Sequence, residues 1–263
     1  MPASDRDTDL LLLEEAARAA GRVALTFTGP SARRWDKPDN LGPVTEADMA
    51  VNAVLEAQLT GARPDYGWLS EESTDSAARL TRDRVFIVDP IDGTRSFIEG
   101  ADTWAHSIAI AERGEVVAAA VYLPVKGKLY SAAAGRGAYL NARPIRASRR
   151  DSLDGATMLA AKPNYDARHW PGGVPKVVRH YRPSLAYRLA LVAEGRFDAM
   201  ITLRDSWEWD IAAGELILRE AGALTSDRRG GALRFNNPHP QVGGVVAAGP
   251  GLHRVILQGL GAG

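Results

Sequence analysis

Small and apolar residues recur at three-to-four spacing from Leu10 to Phe27 and predict an amphipathic helix closed by Gly29-Pro30. A polar, basic loop follows, SARRWDKPDNLGP. A second helical segment, VTEADMAVNAVLEAQLTG, opens with Thr45 and Asp48 spaced as a capping box, Asp standing for the usual Glu, and ends at Gly61. The period then shortens. YGWLSEES and RVFIVDPIDGT read as short strands ending in acids, and Arg84 to Val88 has the β-branched and aromatic look of a strand buried on both faces. Pro90 removes a backbone donor and Gly93 permits positive φ, so this strand is expected to stop there. Trp104 to Tyr139 reads as consecutive antiparallel strands, with turns at Arg113-Gly114 and Lys126-Gly127.

Arg146 to Asp154 is polar and charged and is expected to divide the chain into halves, 1–146 and 147–263. Beyond it helices and strands alternate. SLAYRLALVAEGRFDAMI predicts a helix, a stop at Gly195 and a strand. WDIAAGELILREAGALT predicts a helix capped by Asp210 and stopped by Gly222, then a strand; GGVVAAGPGLHRVILQGL predicts a strand, a turn and a last helix. The sum is a layered α+β first half and α/β second half in one compact unit.

Composition narrows the chemistry. Lys+Arg and Asp+Glu both number 32, so no net field advertises a nucleic acid or an anionic membrane as partner. Cysteine is absent, which excludes disulfides, thiolate catalysis and sulfur-ligated zinc or iron. Any metal site must use oxygen or imidazole ligands, and carboxylates suit magnesium, manganese or calcium. The N-terminal apolar run is short and flanked by acids, unlike a secretory signal, and the run Val116 to Leu123 is too short to cross a bilayer; a cytoplasmic location is the expectation.

Four segments place carboxylates at element ends: Asp48, Glu71, Asp89 with Asp92, and Asp210. Singly, each has a plainer reading. Asp-Pro and Asp-Gly are common turn dipeptides, SEES suits a solvated loop, Asp210 suits a helix N-cap, and Trp207 and Trp209 suit packing. Together they suit paired divalent cations, for which one shared carboxylate is the simplest bridge, while the N–H groups of Gly93 and Thr94 are placed to meet a phosphate.

The segments VDPIDGTRSF and WEWDIAAGELILREAGA, with GWLSEES between helix and strand, resemble the signatures of the inositol monophosphatase superfamily across nearly the whole chain. Ser70 departs from that family's usual glycine. The resemblance implies alternating α-β-α-β-α layers of the inositol monophosphatase/fructose-1,6-bisphosphatase kind and a Mg2+-dependent, Li+-sensitive phosphatase. It implies Glu71, Asp89 and the Ile91 carbonyl around one ion, Asp89, Asp92 and Asp210 around a second, and a looser third ion by Glu71, with Mn2+ as a possible substitute. Thr94 and Asp48 match the family's water-activating pair, with Glu71 beside them as a catalytic group, and Lys37 falls where a lysine often stands near the metals.

Substrate choice is expected from the second half. Inositol phosphatases usually carry a glutamate where this chain has Leu203, and asparagine where it has Ser96. SLAYRLALVAEGRFDA is more like the CysQ-type 3'(2'),5'-bisphosphate nucleotidases, with Arg188 as the cation that would clamp a second phosphate bidentately. Arg204 and Arg95 are further candidates, and Gly93, Thr94 and Asp210 complete the expected substrate contacts. Adenosine 3',5'-bisphosphate is therefore the favoured ester. Inositol 1-phosphate, histidinol phosphate (DPIDGTR followed by TW) and a sugar bisphosphate stay open, as does a non-catalytic binder. A small phosphorylated metabolite is the expected partner, and relatives commonly form homodimers.

Overall fold

The computed structural model describes residues 5–27, 29–38 and 42–261. Helix α1 spans Asp5–Ala24 and α2 spans Glu46–Ala62, and Thr45 caps α2 in the expected capping box with Asp48. Within the polar loop before α2, Arg34–Asp36 pairs antiparallel with Pro43–Thr45; residues 39–41 lie outside the described residues. Seven strands form the first sheet, in the order Gly67–Ser70, Arg84–Asp92, Ala105–Glu112, Glu115–Leu123, Lys128–Ala133, Ala138–Leu140, Arg143–Pro144. The first pair is parallel and the rest antiparallel. Arg113 at φ 50° and Gly114 at φ 86° make the predicted turn between the third and fourth strands.

The Arg84–Asp92 strand does not stop at Pro90. Its register against Ala105–Glu112 shifts between Asp89 and Asp92, and pairing resumes beyond. A proline is tolerated at such a bulge because no ladder donor is required there. A five-residue helix, α3 (Thr94–Ile98), follows at once.

Residues 145–153 carry no helix or strand. The second sheet has the order Val178–His180, Thr157–Leu159, Ala199–Thr202, Val245–Ala248, Leu224–Ser226. Helices α4 (Leu185–Ala193) and α5 (Glu208–Glu220) lie between the sheets, and α6 (Pro250–Gly259) covers the far face of the second.

Alternation along the strands builds the layers. Phe86 and Val88 pack with Leu13, Val51 and Leu55 of α1 and α2, while Val85 and Ile87 turn to Leu189 and Ile211 of α4 and α5. Met200 faces that same central cluster, and Ile201 faces Leu252 and Ile256 of α6. The result is the expected α-β-α-β-α order. α4 and α5 touch closely enough that a Cβ on Gly214 would sit 2.5 Å from the Leu189 Cβ. Among the described residues no helix is long and apolar enough to cross a membrane.

Candidate active site

Asp89, Asp92 and Asp210 each offer a carboxylate oxygen, and these atoms lie within 4.8 Å of one another. Asp89 and Asp92 are buried and Asp210 is half-buried. The Asp89 Oδ1 is sealed from solvent with no hydrogen-bond partner among the described residues. Burial, then the charges of Glu71, Asp92 and Asp210, push the Asp89 carboxyl well above its ordinary value. Burial and the charges of Asp92 and Glu71 do the same to Asp210. Asp92 is raised to about 6 by burial, against the pull of its bond from Ser184. Converging anions with an orphaned oxygen are unfavourable unless a cation joins them. An all-oxygen carboxylate set fits magnesium or manganese.

Each carboxylate is aimed by its element. Asp92 Oδ2 accepts from Ser184 Oγ at 2.7 Å and from the Ala186 N–H at 2.6 Å, so this carboxylate also docks the start of α4. Gly93 turns the chain with φ 97°, and a Cβ there would meet Ser184 Cβ at 3.4 Å and Thr103 O at 3.5 Å. Asp210 is not the helix cap expected of it. Trp207 occupies the cap without a side-chain bond, and Asp210 sits in the first turn of α5, its carboxylate free for the cluster. Ser107 Oγ donates to the Trp209 carbonyl at 2.7 Å and ties that first turn to the central strand. Trp207 and Trp209 stack at 4.7 Å, as packing residues do.

Asp48 makes its cap bonds and its bond from Thr94 on different oxygens. Oδ2 accepts from Thr45 N–H at 2.8 Å and Thr45 Oγ1 at 2.5 Å, and Oδ1 lies 3.2 Å from Thr94 Oγ1. The Thr94 hydroxyl has a second acceptor in the Ile91 carbonyl at 3.1 Å. Burial raises Asp48 to about 6, offset in part by the Thr45 bonds. Lys37 Nζ sits 2.7 Å from Glu71 Oε1 and 2.6 Å from Glu72 Oε1. Burial alone would lower Lys37, but the Glu71 and Glu72 carboxylates outweigh it and hold the ammonium above its ordinary value. Burial and Glu71 lift Glu72 to about 7. Ser70, in place of the family glycine, donates to Asn52 Oδ1 at 2.6 Å and accepts from the Glu72 N–H, while the Glu71 N–H holds the Val88 carbonyl at 3.2 Å.

Arg188 departs from its expected geometry. Nε donates to the Arg182 carbonyl at 2.5 Å, one Nη donates to Pro183 O at 3.2 Å, and the guanidinium lies 4.5 Å over the Tyr181 ring. Its own loop thus holds two of the five N–H donors, Nε–H and one Nη–H, which fixes the guanidinium plane and leaves three donors on the two Nη atoms. Arg188 nonetheless feels Asp92, Asp210 and Arg204, which places positive charge beside the carboxylates. Arg204 and Arg95 are exposed. Leu203 is half-buried and fixed through its backbone to Asn164 and Arg228, and Ser96 is buried against Thr103. Sequence reasoning missed Ser184, Ser107 and Glu72. Ser184 carried a signal as the N-cap residue ahead of LAYRLAL, and Glu72 as the second acid of GWLSEES; Ser107 carried none.

Three converging carboxylates whose oxygens suit a hard cation, with a hydroxyl resting on another carboxylate, fit a metal-dependent phosphoric monoester hydrolase. Comparison with known proteins agrees: the Inositol monophosphatase family profile matches residues 5–261. The chain is 38% identical over 203 residues to an inositol-1-monophosphatase of Rhizobium meliloti, covering 72% of this chain and 73% of the relative. It is 34% identical to the Nus factor SuhB of Escherichia coli K12 over 92% of this chain and 91% of the relative. The suhB extragenic suppressor structure from Bartonella henselae superposes with a TM-score of 0.81 at 29% identity, covering 97% of this chain and 99% of that one. The Thermotoga maritima IMPase superposes at 0.82 with 26% identity, covering 97% and 96%. The chain belongs to the inositol monophosphatase family.

Proposed function

We propose that the chain hydrolyses adenosine 3',5'-bisphosphate to AMP and phosphate in the cytoplasm, with two or three Mg2+ ions, Mn2+ as a substitute and Li+ as an inhibitor. The observation that carries the substrate is the positive charge of Arg188 and Arg204 beside Asp210, with an apolar Leu203 where inositol phosphatases place a glutamate. A leaving group bearing a second phosphate finds charge there, whereas a polyol finds no carboxylate. Most metal ligands are assigned to residues 1–146, and Asp210 with the substrate-selecting residues to 147–263.

Glu71, Asp89 and the Ile91 carbonyl would hold one cation, and Asp89, Asp92 and Asp210 a second. Bound there, they supply the positive charge that lowers the pKa of a water and offsets charge on a departing alkoxide. The chain's own part is positional and acid–base. Thr94 Oγ1 donates its hydrogen toward Asp48 or the Ile91 carbonyl, which leaves its oxygen lone pairs for the proton of an attacking water. Asp48 stays in place because Thr45 holds its other oxygen. Gly93 and Thr94 open α3, and their N–H groups precede its first backbone bond, Phe97 N–H to Gly93 O, so both are available to a phosphate.

The name of the Rhizobium relative favours a second substrate, inositol 1-phosphate. A side-by-side turnover assay with adenosine 3',5'-bisphosphate, inositol 1-phosphate and histidinol phosphate separates them. Magnesium-dependent release that is fastest from the bisphosphate and suppressed by lithium is the expected result. A wide preference for inositol 1-phosphate would remove the role given to Arg188 and Arg204.

A further inference from the structure

Between the pairs Asp89–Ser107 and Asp92–Ala105, Pro90 and Ile91 have no partner in the ladder. Both are buried, so the Pro90 carbonyl needs a donor from elsewhere. His106, fully buried on the neighbouring strand, supplies it: its Nδ1 is hydrogen-bonded to Pro90 O. A carbonyl only accepts, so Nδ1 carries the hydrogen and the neutral ring presents a bare Nε2, which is buried without a partner among the described residues. The ring is held edge-on to Trp104 at 5.5 Å and tilted against Tyr122 at 6.3 Å. Burial lowers its pKa to about 4, so the donor state does not change near neutral pH.

We infer that His106 is a positioning residue for the metal centre: by donating to the Pro90 carbonyl it fixes the bulge, and so the separation and aim of Asp89 and Asp92. It touches neither cation nor substrate and acts through three residues of backbone. This role rests on the metal site proposed above. An apolar side chain of similar size keeps the packing and loses the bond, whereas the amide nitrogen of asparagine falls where Nδ1 stands.

The test compares H106L and H106N with the parent chain, by calorimetric titration with Mn2+ and by the Mg2+ concentration that half-saturates phosphate release. H106L is expected to weaken Mn2+ binding and raise the Mg2+ requirement by roughly 10-fold, within the ~10–100-fold range for residues that orient metal ligands. KM for the ester at saturating Mg2+ stays unchanged, and H106N recovers most of the loss. If H106L does not fold, H106S, whose hydroxyl is too short to reach Pro90, replaces it against H106N. H106L or H106S binding Mn2+ as the parent does, with only a lower melting temperature, would reduce His106 to packing. Equal loss in H106N would do the same. A parent chain that binds no Mn2+ overturns the metal site itself, and this role with it.

Discussion

Asp92 performs two tasks through two oxygens. One accepts from Ser184 and Ala186 and docks α4; the other is left for the carboxylate cluster. In D92N the amide oxygen can keep both α4 bonds while an NH2 replaces the metal-facing oxygen. Turnover is expected to fall by at least about 100-fold, the upper end of what outer partners of a metal cost. The melting temperature without metal should stay level or rise, because one charge leaves a crowded acidic site. A D92N enzyme within a few-fold of the parent in phosphate release would show that this carboxylate holds no cation.

At the scale of elements, α5 brings Asp210 to the site only because α4 and α5 lie almost in contact at Gly214. G214A puts a methyl 2.5 Å from the Leu189 Cβ, which belongs to the stem of that side chain and cannot swing away. The helices must separate, and overpacking of this kind costs roughly 1–3 kcal/mol. Thermal denaturation should show a loss of several degrees, since ~1 kcal/mol moves a chain of this size by about 2–4 °C. An unchanged midpoint would mean that the contact is slack. The elements themselves were legible wherever the cause was local. The Thr45–Asp48 box, the Arg113-Gly114 turn and the Gly195 stop depend on neighbouring residues and stand as expected. What failed depended on a distant partner. The strand passes through Pro90 because the next strand tolerates a bulge there. Asp210 lies inside the helix rather than on its cap because Trp207, paired antiparallel with Gln241 across a short ladder, already ends the preceding segment. Arg188 is drawn to its own loop by carbonyls that no spacing rule marks. Of the site, Asp89, Asp92 and Asp210 were legible as acids at element ends that one cavity could gather, whereas Ser184 and His106 make contacts 92 and 16 residues away in sequence.

For the molecule as a whole, this site is a source of instability until it is filled. Asp48 and Asp92 are raised from 3.8 to about 6 and Glu72 from 4.5 to about 7, with Asp89 and Asp210 raised as well. Between the ordinary and the raised values the folded chain binds more protons than the unfolded one. The stability these groups lend is therefore complete below their ordinary values and, for Asp48, Asp92 and Glu72, is lost as pH climbs through about 6 to 7. His106 and His253, both lowered by burial, act with the opposite sign: their contribution is present above 6.5 and is lost as pH falls, for His106 through about 4. Five carboxyls outweigh two imidazoles on the alkaline side, so chelated protein should melt at a lower temperature at pH 8 than at pH 6. Mg2+ bound by the deprotonated cluster of the folded chain alone would add about 2.7 kcal/mol at a concentration 100 times its Kd. By the same conversion that is roughly 5–10 °C, and the gain should shrink toward pH 5, where protons compete for the same oxygens. Melting curves across pH 5 to 8, with chelator and with magnesium, measure both slopes. A chelated midpoint that rises from pH 6 to 8, or one that magnesium leaves in place, would mean that these carboxylates do not share one cavity in solution.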